Sequence, residues 1–327
     1  MKHFATLVDV SQADFERLLR TAHALKAFRS GRTHADYRPL QNMSVVLLFE
    51  KPSLRTRVTF EVAISELGGH PICLGPDEVG LGKRESVSDV SRNLSRWVRC
   101  IVARTFKHGT VLELARTASV PVINALTDLE HPCQALGDFL SIFERKGRLK
   151  GLTLAFVGDG NNVCHSLIQS AAKCGTNIRV ACPKGYEPAG DFLKQARRDA
   201  DATGASITIM HDPSEAVRGA DAVYTDVWTS MGFEEETEKR RKAFAGYRVD
   251  AALMARARPG AIFLHCLPAH RGEEVTGEVL DGPASAILDQ AENRLHSAKA
   301  VLLALLAPGE SLKFSKLKQR KAARKRK

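Results

Sequence analysis

The sequence predicts an α/β protein of two domains, each a mostly parallel sheet covered by helices on both faces, with a ligand cleft between them. Three observations support this prediction. The 327 residues suffice for two cores of ordinary size. Short apolar runs alternate with amphipathic stretches along the chain, which is typical of parallel sheets covered by helices. The alternation restarts after a charged, glycine-containing stretch at 144–151, which marks the domain boundary.

The first domain is predicted to cover residues 1–147. Ser11 is a favourable N-cap residue, and Gly31 and Gly147 lie where helices should stop. Apolar runs rich in β-branched residues predict the strands. The predicted elements are, in order, a helix over 11–31, a strand over 44–49, a helix over 57–69, strands over 100–105 and 120–125, and a helix over 133–147.

The second domain is predicted to cover residues 148–288. A strand runs into a glycine turn at 152–160, and the helix after it starts the second alternation. Its remaining strands are predicted at 178–183, 206–210, 221–228 and 261–268. The late helix, 289–308, is assigned to the first domain, and a basic, disordered tail is predicted for 309–327.

The positive charge of the chain is concentrated at its end. The formal net charge is +11, but residues 313–327 carry nine Lys and Arg and no acid. Subtracting them leaves 11 − 9 = +2, so the rest of the chain is nearly neutral. Two interpretations of the tail stay open: a solvated extension, or a weak contact with a polyanion.

The sequence indicates a reduced, cytoplasmic protein. Its seven cysteines are odd in number and include no CxxC pair, which disfavours a disulfide framework or a zinc ribbon. The N-terminal segment turns polar after a few residues, unlike a secretory signal. The longest apolar runs of the chain are too short to span a bilayer. We therefore expect neither export nor membrane insertion.

A phosphate-binding site is predicted where the first strand meets the next helix. The segment PSLRTR, 52–57, places Ser53 and Thr56 at a helix N-terminus, whose free N–H groups attract anions. Arg55 and Arg57 repel each other unless an anion lies between them, and their guanidinium groups suit phosphate oxygens. A capped helix with two solvated arginines would explain the same residues, so the prediction depends on partners elsewhere.

Polar residues in the same half of the chain supply those partners. Arg104 ends a predicted strand, and His131 and Gln134 open the helix that follows the next strand. Ligands collect outside the carboxyl ends of parallel strands, so these groups should lie near the phosphate. Their hydrogen-bond donors suit an oxygen that gains negative charge during a reaction.

Two other chemistries are disfavoured. The turn VGDGNNV, 157–163, is similar to a dinucleotide-binding fingerprint but has Val163 where that fingerprint needs glycine. The segment HCLPAHR, 265–271, contains His265 and Cys266, but adjacent residues of a strand face opposite sides, which disfavours a shared metal ion. We therefore predict no metal and no organic cofactor.

Four motifs, in this order and at these separations, resemble the aspartate/ornithine carbamoyltransferase family. They are FEKPSLRTR (49–57), HPCQALGD (131–138), DVWTSMG (226–232) and HCLPAHRGEEV (265–275), and the resemblance extends from about residue 4 to residue 308. It implies an enzyme that transfers the carbamoyl group of carbamoyl phosphate to an amino acid. The acid and small loop at 226–232, together with Cys266, indicate L-ornithine, because aspartate needs basic residues for its second carboxylate.

The resemblance also implies roles for individual residues. Those implied to bind carbamoyl phosphate are Ser53, Leu54, Arg55, Thr56, Arg57, Arg104, His131, Gln134, Cys266, Leu267 and Arg294. Those implied to bind ornithine are Asn162, Asp226, Ser230 and Met231. Four of these are implied to be catalytic, either by stabilising an oxyanion or by keeping the attacking δ-amine neutral and aimed: Arg104, His131, Asp226 and Cys266.

Two positions depart from the family pattern. Leu54 replaces a more usual threonine, which matters little if that position acts through its backbone N–H. In EVGLGKRES, 78–86, the family often has a glutamine that reaches the neighbouring subunit's site, and this chain has Gly80 instead. Whether Lys83 or nothing replaces it is open. The resemblance implies a homotrimer or a multiple of trimers.

Rival interpretations of the function stay open. An N-acetylornithine or other amine carbamoyltransferase is the nearest enzyme alternative, and a non-catalytic paralogue is the alternative of a different class. The sequence does not decide between arginine synthesis and citrulline breakdown as the metabolic role.

Overall fold

A computed structural model describes residues 1–29, 37–229 and 234–315, and the chain forms two compact units. Unit 1 comprises Met1–Leu140 with the chain from Glu292 onward, and unit 2 comprises Ser141–Ala291. Each contains a parallel sheet with flanking helices, so the predicted fold class is confirmed. The ligand cleft stays a prediction. Within the described ranges, no helix is long and apolar enough to cross a membrane.

Unit 1 is built on a four-stranded parallel sheet with the strand order β2-β1-β3-β4. Its strands are β1 (Ser44–Phe49), β2 (His70–Leu74), β3 (Cys100–Arg104) and β4 (Val122–Leu126). Its helices are α1 (Gln12–Arg29), α2 (Leu54–Glu66), α3 (Pro76–Val79), α4 (Val87–Trp97) and α5 (His108–Thr117), followed by α6 (Pro132–Lys146), which ends in unit 2.

Unit 2 is built on a five-stranded parallel sheet with the order β7-β6-β5-β8-β9. Its strands are β5 (Thr153–Val157), β6 (Asn177–Ala181), β7 (Ile207–Met210), β8 (Ala222–Thr225) and β9 (Ile262–His265). Its helices are α7 (Asn162–Cys174), α8 (Gly190–Thr203), α9 (Pro213–Val217), α10 (Thr237–Phe244), α11 (Ala251–Met254) and α12 (Gly277–Leu280), followed by α13 (Ile287–Leu306), which ends in unit 1.

The structural division and the predicted domain boundaries fall close to the same two helices. The structure divides the chain after Leu140, within α6, and after Ala291, within α13. The sequence places its boundaries after Gly147, just beyond α6, and after Leu288, near the start of α13.

The central strands of each sheet are buried along almost their whole length. In β1 every residue after Ser44 is buried, and in β8 all of them are. Such continuous burial is typical of a parallel sheet covered on both faces. The core around β1 includes Val46 and Leu48, which pack with Ile101 of β3.

The predicted site residues follow the carboxyl ends of the strands. In unit 1 the segment 52–57 follows β1 and Arg104 ends β3, and in unit 2 Asp226 follows β8 and Cys266 follows β9. Because all strands of a sheet run the same way, these ends lie at one edge of each sheet. That edge is where open parallel sheets bind ligands.

The sequence does not predict β2, which the structure places at the edge of the unit 1 sheet. The strand contains Pro71, has His70 exposed, and has no fully buried residue. An edge strand tolerates proline and partial exposure because one side needs no ladder hydrogen bonds. These same features remove the apolar run by which a buried strand is predicted.

The prediction of a disordered tail from residue 309 is wrong for its first residues. Residues 308–315 are helical, and Pro308 stands in the first turn, where proline is tolerated. Phe314 is buried, and its ring centroid lies 5.4 Å from the ring centroids of both Phe28 and Tyr37. The fold therefore extends at least to residue 315, and 316–327 lie outside the described residues.

Candidate active site

The N-terminus of α2 presents the predicted phosphate-binding segment. Ser53 is the N-cap, with an extended backbone, and its Oγ accepts a hydrogen bond from Thr56 N at 3.3 Å. The helix therefore starts at Leu54, earlier than the predicted start at Arg57. The Leu54 side chain is exposed, while its N–H belongs to the first turn, whose donors have no partner within the helix.

Three predicted carbamoyl phosphate residues are joined by hydrogen bonds in unit 1. Arg294 of α13 donates to Gln134 Oε1 at 2.7 Å and to Thr56 Oγ1 at 2.8 Å. Gln134 in turn donates from Nε2 to Asp138 Oδ1 at 2.7 Å. All four residues are buried. Because Thr56 accepts from Arg294, its own hydroxyl hydrogen is directed elsewhere and can donate to a ligand.

The side chain of His131 is buried among cations. Burial holds the pKa of His131 well below its ordinary value, and four positive charges lower the pKa further, those of Arg294, Arg104, Lys51 and Arg55. His131 is therefore neutral at neutral pH and can donate one ring N–H. Cations gathered in this way are stabilised by an anion, so the surroundings of His131 favour a phosphate ligand.

Arg104 lies at an irregularity of the sheet. The register between β3 and β4 shifts between Ala103 and Arg104, so that Arg104 is paired with Leu126. Such irregularities are frequent next to active sites, where they redirect a side chain. Arg104 is buried, and its backbone oxygen accepts from Glu50 N at 2.9 Å, which ties the end of β3 to the end of β1.

Lys51 belongs to the same cationic group and was not predicted from the sequence. Its side chain is buried, and its Nζ lies 5.0 Å from the centroid of the Phe106 ring. Burial, which is rare for a lysine, identifies Lys51 in the structure, whereas its position directly before Pro52 gives no separate signal in the sequence.

The loop before His131 is fixed by a buried carboxylate. Glu130 accepts from Thr6 Oγ1 at 2.9 Å and from Leu7 N at 3.0 Å. Its backbone oxygen accepts from Thr127 N at 2.9 Å. The N-terminal segment thus holds the turn between β4 and α6 and, with it, the position of His131.

The two arginines of the motif differ in exposure. Arg55 is half-buried, whereas the Arg57 side chain is 59% exposed. Arg57 Nε donates to Glu61 Oε1 at 3.0 Å, one turn along the same helix. A phosphate bound by Arg57 must therefore compete with Glu61.

Asp226 and Cys266, the two predicted catalytic groups of unit 2, are in direct contact. Asp226 is buried, and its Oδ1 accepts from Cys266 Sγ at 3.0 Å and from Val227 N at 2.9 Å. Asp226 Oδ2 accepts from Asn161 Nδ2 at 2.8 Å. A carboxylate held in this way can accept a hydrogen bond from a substrate amine.

Asn161, which was not predicted as a site residue, contacts Asp226. Asn161 is the N-cap of α7, and its Oδ1 accepts from Val163 N at 3.0 Å and from Cys164 N at 3.1 Å. The nitrogen and the oxygen of its side-chain amide are thus both held by hydrogen bonds. An asparagine just before an apolar helical stretch is a recognisable N-cap signal, which the sequence reasoning missed. The role of Asn162 stays a prediction.

The glycine turn after β5 packs against protein backbone. A Cβ at Gly160 would lie 2.3 Å from Pro188 N and 2.5 Å from the carbonyl carbon of Glu187. Glycine is needed there for close approach of two chain segments. Burial raises the pKa of the neighbouring Asp159, opposed by Arg240, whose Nη1 lies 2.7 Å from Asp159 Oδ2. Close packing thus explains Gly160 of VGDGNNV without a dinucleotide.

The reason given against a metal ion at 265–271 is wrong. The strand β9 ends at His265, so strand alternation does not apply to Cys266, and the ligand atoms of Asp226, His265 and Cys266 lie within 4.8 Å of one another. Both His265 ring nitrogens already take part in hydrogen bonds, with Leu267 N at 2.9 Å and Glu274 Oε1 at 3.2 Å. The expectation of no metal stays a prediction.

Four further predicted positions belong to the segments 226–232 and 78–86. Ser230 and Met231 lie outside the described residues. Gly80 ends α3 in a left-handed conformation, φ 61°, and a Cβ there would lie 2.9 Å from Arg84 Cβ. The backbone at this position therefore favours glycine over the family's glutamine. Lys83 is exposed in the following turn, and whether Lys83 or nothing replaces the glutamine stays open.

Comparison with known protein families matches both halves of the chain. The carbamoyl-P binding domain of aspartate/ornithine carbamoyltransferases matches residues 2–144. The Asp/Orn binding domain of the same enzymes matches residues 150–305. The chain therefore belongs to the aspartate/ornithine carbamoyltransferase family.

Individual relatives align with almost the whole chain. An ornithine carbamoyltransferase from Acidothermus cellulolyticus is 53% identical over 309 residues, which cover 94% of this chain and 97% of that protein. The anabolic ornithine carbamoyltransferase of Pyrococcus furiosus is 48% identical over 297 residues, 90% of this chain and 93% of that protein. The solved ornithine carbamoyltransferase structure from Pyrococcus furiosus gives a TM-score of 0.90 at 46% identity, covering 93% of this chain and 97% of that one.

Proposed function

We propose that this protein is an ornithine carbamoyltransferase, which transfers the carbamoyl group of carbamoyl phosphate to the δ-amine of L-ornithine and forms L-citrulline and phosphate. The observation that carries the proposal is the group of cations around neutral His131, beside the hydrogen-bonded Thr56 and Gln134. Its chemistry fits a ligand with a phosphate and a carbonyl group. The names of the relatives support the same reaction.

Carbamoyl phosphate is proposed to bind in unit 1 through both of its ends. The phosphate is held by the first turn of α2, with its N–H groups at Leu54 and beyond, the hydroxyls of Ser53 and Thr56, and the guanidinium groups of Arg55 and Arg57. The carbamoyl oxygen accepts from Arg104 and His131. Gln134 and Arg294 complete the site. These donors bind more strongly as negative charge develops on that oxygen.

Ornithine is proposed to bind in unit 2 through its two ends. Asn162, Ser230 and Met231 hold the amino-acid end. Asp226 accepts a hydrogen bond from the δ-amine, and the Cys266 thiol, which donates to Asp226 at 3.0 Å, lies beside it. The Leu267 carbonyl accepts from the carbamoyl NH₂.

The reaction proceeds by direct attack of a neutral amine. An alkyl ammonium with a pKa of about 10.4 must first lose a proton, after which the nitrogen lone pair attacks the carbamoyl carbon. The new C–N bond forms, the C–O bond to phosphate breaks, and the leaving phosphate accepts the amine's second proton. Orientation of the substrates and stabilisation of the oxyanion supply the catalysis, without a covalent enzyme intermediate.

A comparison of three amino-acid substrates tests the proposal. Purified protein with carbamoyl phosphate should release phosphate and form the carbamoylated product with L-ornithine, and not with N-acetylornithine or L-aspartate. Faster reaction with N-acetylornithine would assign the protein to the rival transferase. Absence of product with all three, while carbamoyl phosphate still binds, would contradict catalysis and support a non-catalytic paralogue.

We propose further that the protein acts in the cytoplasm and that its role is arginine synthesis. The word anabolic in the name of the Pyrococcus furiosus relative supports the synthetic role. A bacterial strain that requires arginine because it lacks this activity should grow without arginine when it expresses the chain. If citrulline forms in the test tube but growth is not restored, the synthetic role is contradicted.

The assembly is proposed to be a homotrimer or a multiple of it, with sites shared between subunits. Apolar side chains stay exposed beside the motif, with Leu54 at 75% and Val58 at 46% on α2 and Ile72 at 36% on the edge strand β2. Mixing Arg57→Ala with a multiple substitution of 83–86, at a carbamoyl phosphate concentration too low to support either variant alone, should restore activity through hybrid sites. No recovery between two folded variants would contradict shared sites.

A further inference from the structure

A cavity of about 430 Å³ opens in unit 1, at the end of α2 opposite the phosphate-binding segment. It is lined by residues from the last turns of α1 and α2 and from the middle of α13, all of which belong to unit 1. None of the residues proposed to bind either substrate lines it. Its volume is within the range of cavities that bind small molecules.

One side of the cavity is apolar. Leu25 and Leu67 are buried and line it together with Phe28 and Tyr37. The ring centroids of Phe28 and Tyr37 lie 5.3 Å apart in an edge-to-face arrangement, and Phe314 packs against both rings. Aromatic rings packed in this way form a firm wall, which favours the burial of an apolar ligand surface.

The other side of the cavity is positively charged. Glu66 accepts hydrogen bonds from Arg29 Nη2 at 2.9 Å and from Lys299 Nζ, so one carboxylate is shared by two cations. Lys299 is 5% exposed. Burial lowers the pKa of Lys299, and Arg29 lowers it further, although Glu66 opposes both effects. The shared carboxylate therefore does not fully compensate the buried ammonium, and a second anion beside it would be favourable.

Arg38 adds a third cation at the edge of the cavity. The base of its side chain packs against Gly68, where φ is 85° and where an added Cβ would lie 2.7 Å from Arg38 Cβ. Glycine directly after α2 therefore permits this close approach. Within the described ranges, the Arg38 guanidinium is paired with no acid. Three cations and one carboxylate give the lining a net charge of 3 − 1 = +2.

The two helices that line the cavity also carry residues of the carbamoyl phosphate site. Arg294 of α13 donates to Thr56 Oγ1, in the first turn of α2, at 2.8 Å. About one and a half turns further along α13, Lys299 pairs with Glu66 at the end of α2. The two helices are thus joined by one polar contact in each site. A ligand that draws Lys299 away from Glu66 changes the packing of α2 on α13, on which the Arg294–Thr56 contact depends.

We propose that this cavity binds a small organic anion with an apolar body, and that its occupation weakens carbamoyl phosphate binding. The anionic group contacts Lys299 and Arg38, and the apolar body packs against the aromatic wall. The basic tail does not suit the cavity, because its charge has the same sign as the lining. The effect on carbamoyl phosphate rests on the proposed function, whereas the binding site itself does not.

Two fluorescent probes test whether the cavity selects an anion. Anilinonaphthalene sulfonate is an aromatic anion, and phenylnaphthylamine is the same ring system without the sulfonate. In titrations of the full-length protein, we expect the anion to bind at least about tenfold more tightly than the neutral probe, because only the anion gains charge-assisted contacts. The chain ending at Ser315 should give the same result, which excludes the tail as the binding site. Equal affinities for the two probes would overturn the proposal.

Substitutions in the cavity test where the anionic probe binds. Arg38→Gln and Lys299→Met each remove one charge, and each should raise the dissociation constant of the probe at least about fivefold. Arg38 is exposed, so its variant tests the site even if Lys299→Met does not fold. Arg20→Gln is the matched control, because Arg20 is an exposed residue of α1 that does not line the cavity. Loss of the probe in Arg57→Ala but not in Arg38→Gln would place it in the phosphate site and overturn the proposal.

Calorimetric titration with carbamoyl phosphate tests the coupling between the two sites. The anionic probe should raise the dissociation constant for carbamoyl phosphate at least about fivefold, and by a smaller factor in Arg38→Gln at the same probe concentration. The increase should level off once the cavity is full. An increase without limit would indicate direct competition at the phosphate site, and no increase would show that the sites are uncoupled; either result would overturn the proposal. If carbamoyl phosphate does not bind at all, the proposed function fails, while the probe titrations still decide whether the cavity is an anion site.

Discussion

Arg294 orients two neutral groups of the carbamoyl phosphate site at once. Its hydrogen bonds to Thr56 Oγ1 at 2.8 Å and Gln134 Oε1 at 2.7 Å occupy one acceptor on each side chain. The donors of Thr56 and Gln134 are thereby turned to other partners, in part to Asp138. A neutral His131 completes a set of donors whose orientation is fixed before a ligand binds, which is the condition for effective oxyanion stabilisation.

Arg57→Ala tests the phosphate assignment at the level of one residue. Loss of a charge-assisted contact should weaken carbamoyl phosphate binding about ten- to a hundredfold, as measured by calorimetric titration. The fold should be kept, because the side chain is 59% exposed and its pair with Glu61 is a surface pair.

Arg20→Ala is the matched control for that experiment. Arg20 is likewise an exposed helix residue of unit 1, paired with Glu16 one turn away. Its loss should leave the affinity for carbamoyl phosphate unchanged. An unchanged affinity in the Arg57 variant as well would remove Arg57 from the anion site.

Single residues of the site could be predicted where they belong to a motif, and were missed where only their contacts identify them. Arg104, His131 and Asp226 stand in recognisable patterns at strand ends and helix starts. Lys51 stands in no such pattern, and the N-cap pattern of Asn161 predicts the start of α7 but not the contact with Asp226. Their importance comes from contacts with distant residues, which the local sequence does not determine.

The helix α13 contributes a pH-dependent term to the stability of unit 1. Burial lowers the pKa of His296 to about 4, with Lys299 and Lys26 lowering it and Glu292 opposing them. The unfolded histidine keeps a pKa near 6.5, so between these values the unfolded chain is protonated and the folded chain is not. Stability is therefore full above pH 6.5 and decreases as the pH falls towards 4.

His296→Gln should remove much of this acid sensitivity. Glutamine stays neutral, so the loss of unfolding free energy between pH 8 and pH 5 should shrink by about 2 kcal/mol, as measured by urea unfolding. The exposed His70 provides the control for replacing a histidine by glutamine, His70→Gln. Equal acid sensitivity in all three proteins would contradict the role of His296.

The strands and helices were predicted well where a buried element forms a long apolar run in the sequence. They were predicted poorly where contacts with distant residues determine the secondary structure. The strands β1, β3 and β5 are buried runs and lie where the sequence predicts them. The edge strand β2 and the helix over 308–315 lack such a run. The first depends on pairing with β1, and the second depends on packing of Phe314, which the local sequence does not show.

At the scale of the whole molecule, the basic tail should be dispensable for catalysis, provided that the truncation keeps the helical residues up to Ser315. Truncation after Ser315 removes all the basic residues of 313–327 except Lys313, and should leave citrulline formation and thermal stability unchanged. Truncation after Leu312 also removes the buried Phe314, and should destabilise unit 1 by about 3 kcal/mol. Equal melting temperatures for the two truncations would contradict the packing role of Phe314.

The same truncation tests contact of the tail with polyanions. The full-length protein should elute from a polyanion column at higher salt than the chain ending at Ser315, because its cations release bound counterions. Salt-insensitive, identical elution of both proteins would leave the tail as a solvated extension.

The central claim is that carbamoyl phosphate is bound by groups of unit 1 and that Asp226 of unit 2 acts on the amine. The most direct measurement is the citrulline formation rate of Asp226→Asn beside its dissociation constant for carbamoyl phosphate. We predict that kcat/KM for ornithine falls at least about tenfold, because a charged hydrogen-bond acceptor is lost, while the dissociation constant changes less than about twofold. Undiminished citrulline formation, or carbamoyl phosphate binding weakened as much as ornithine use, would contradict the account.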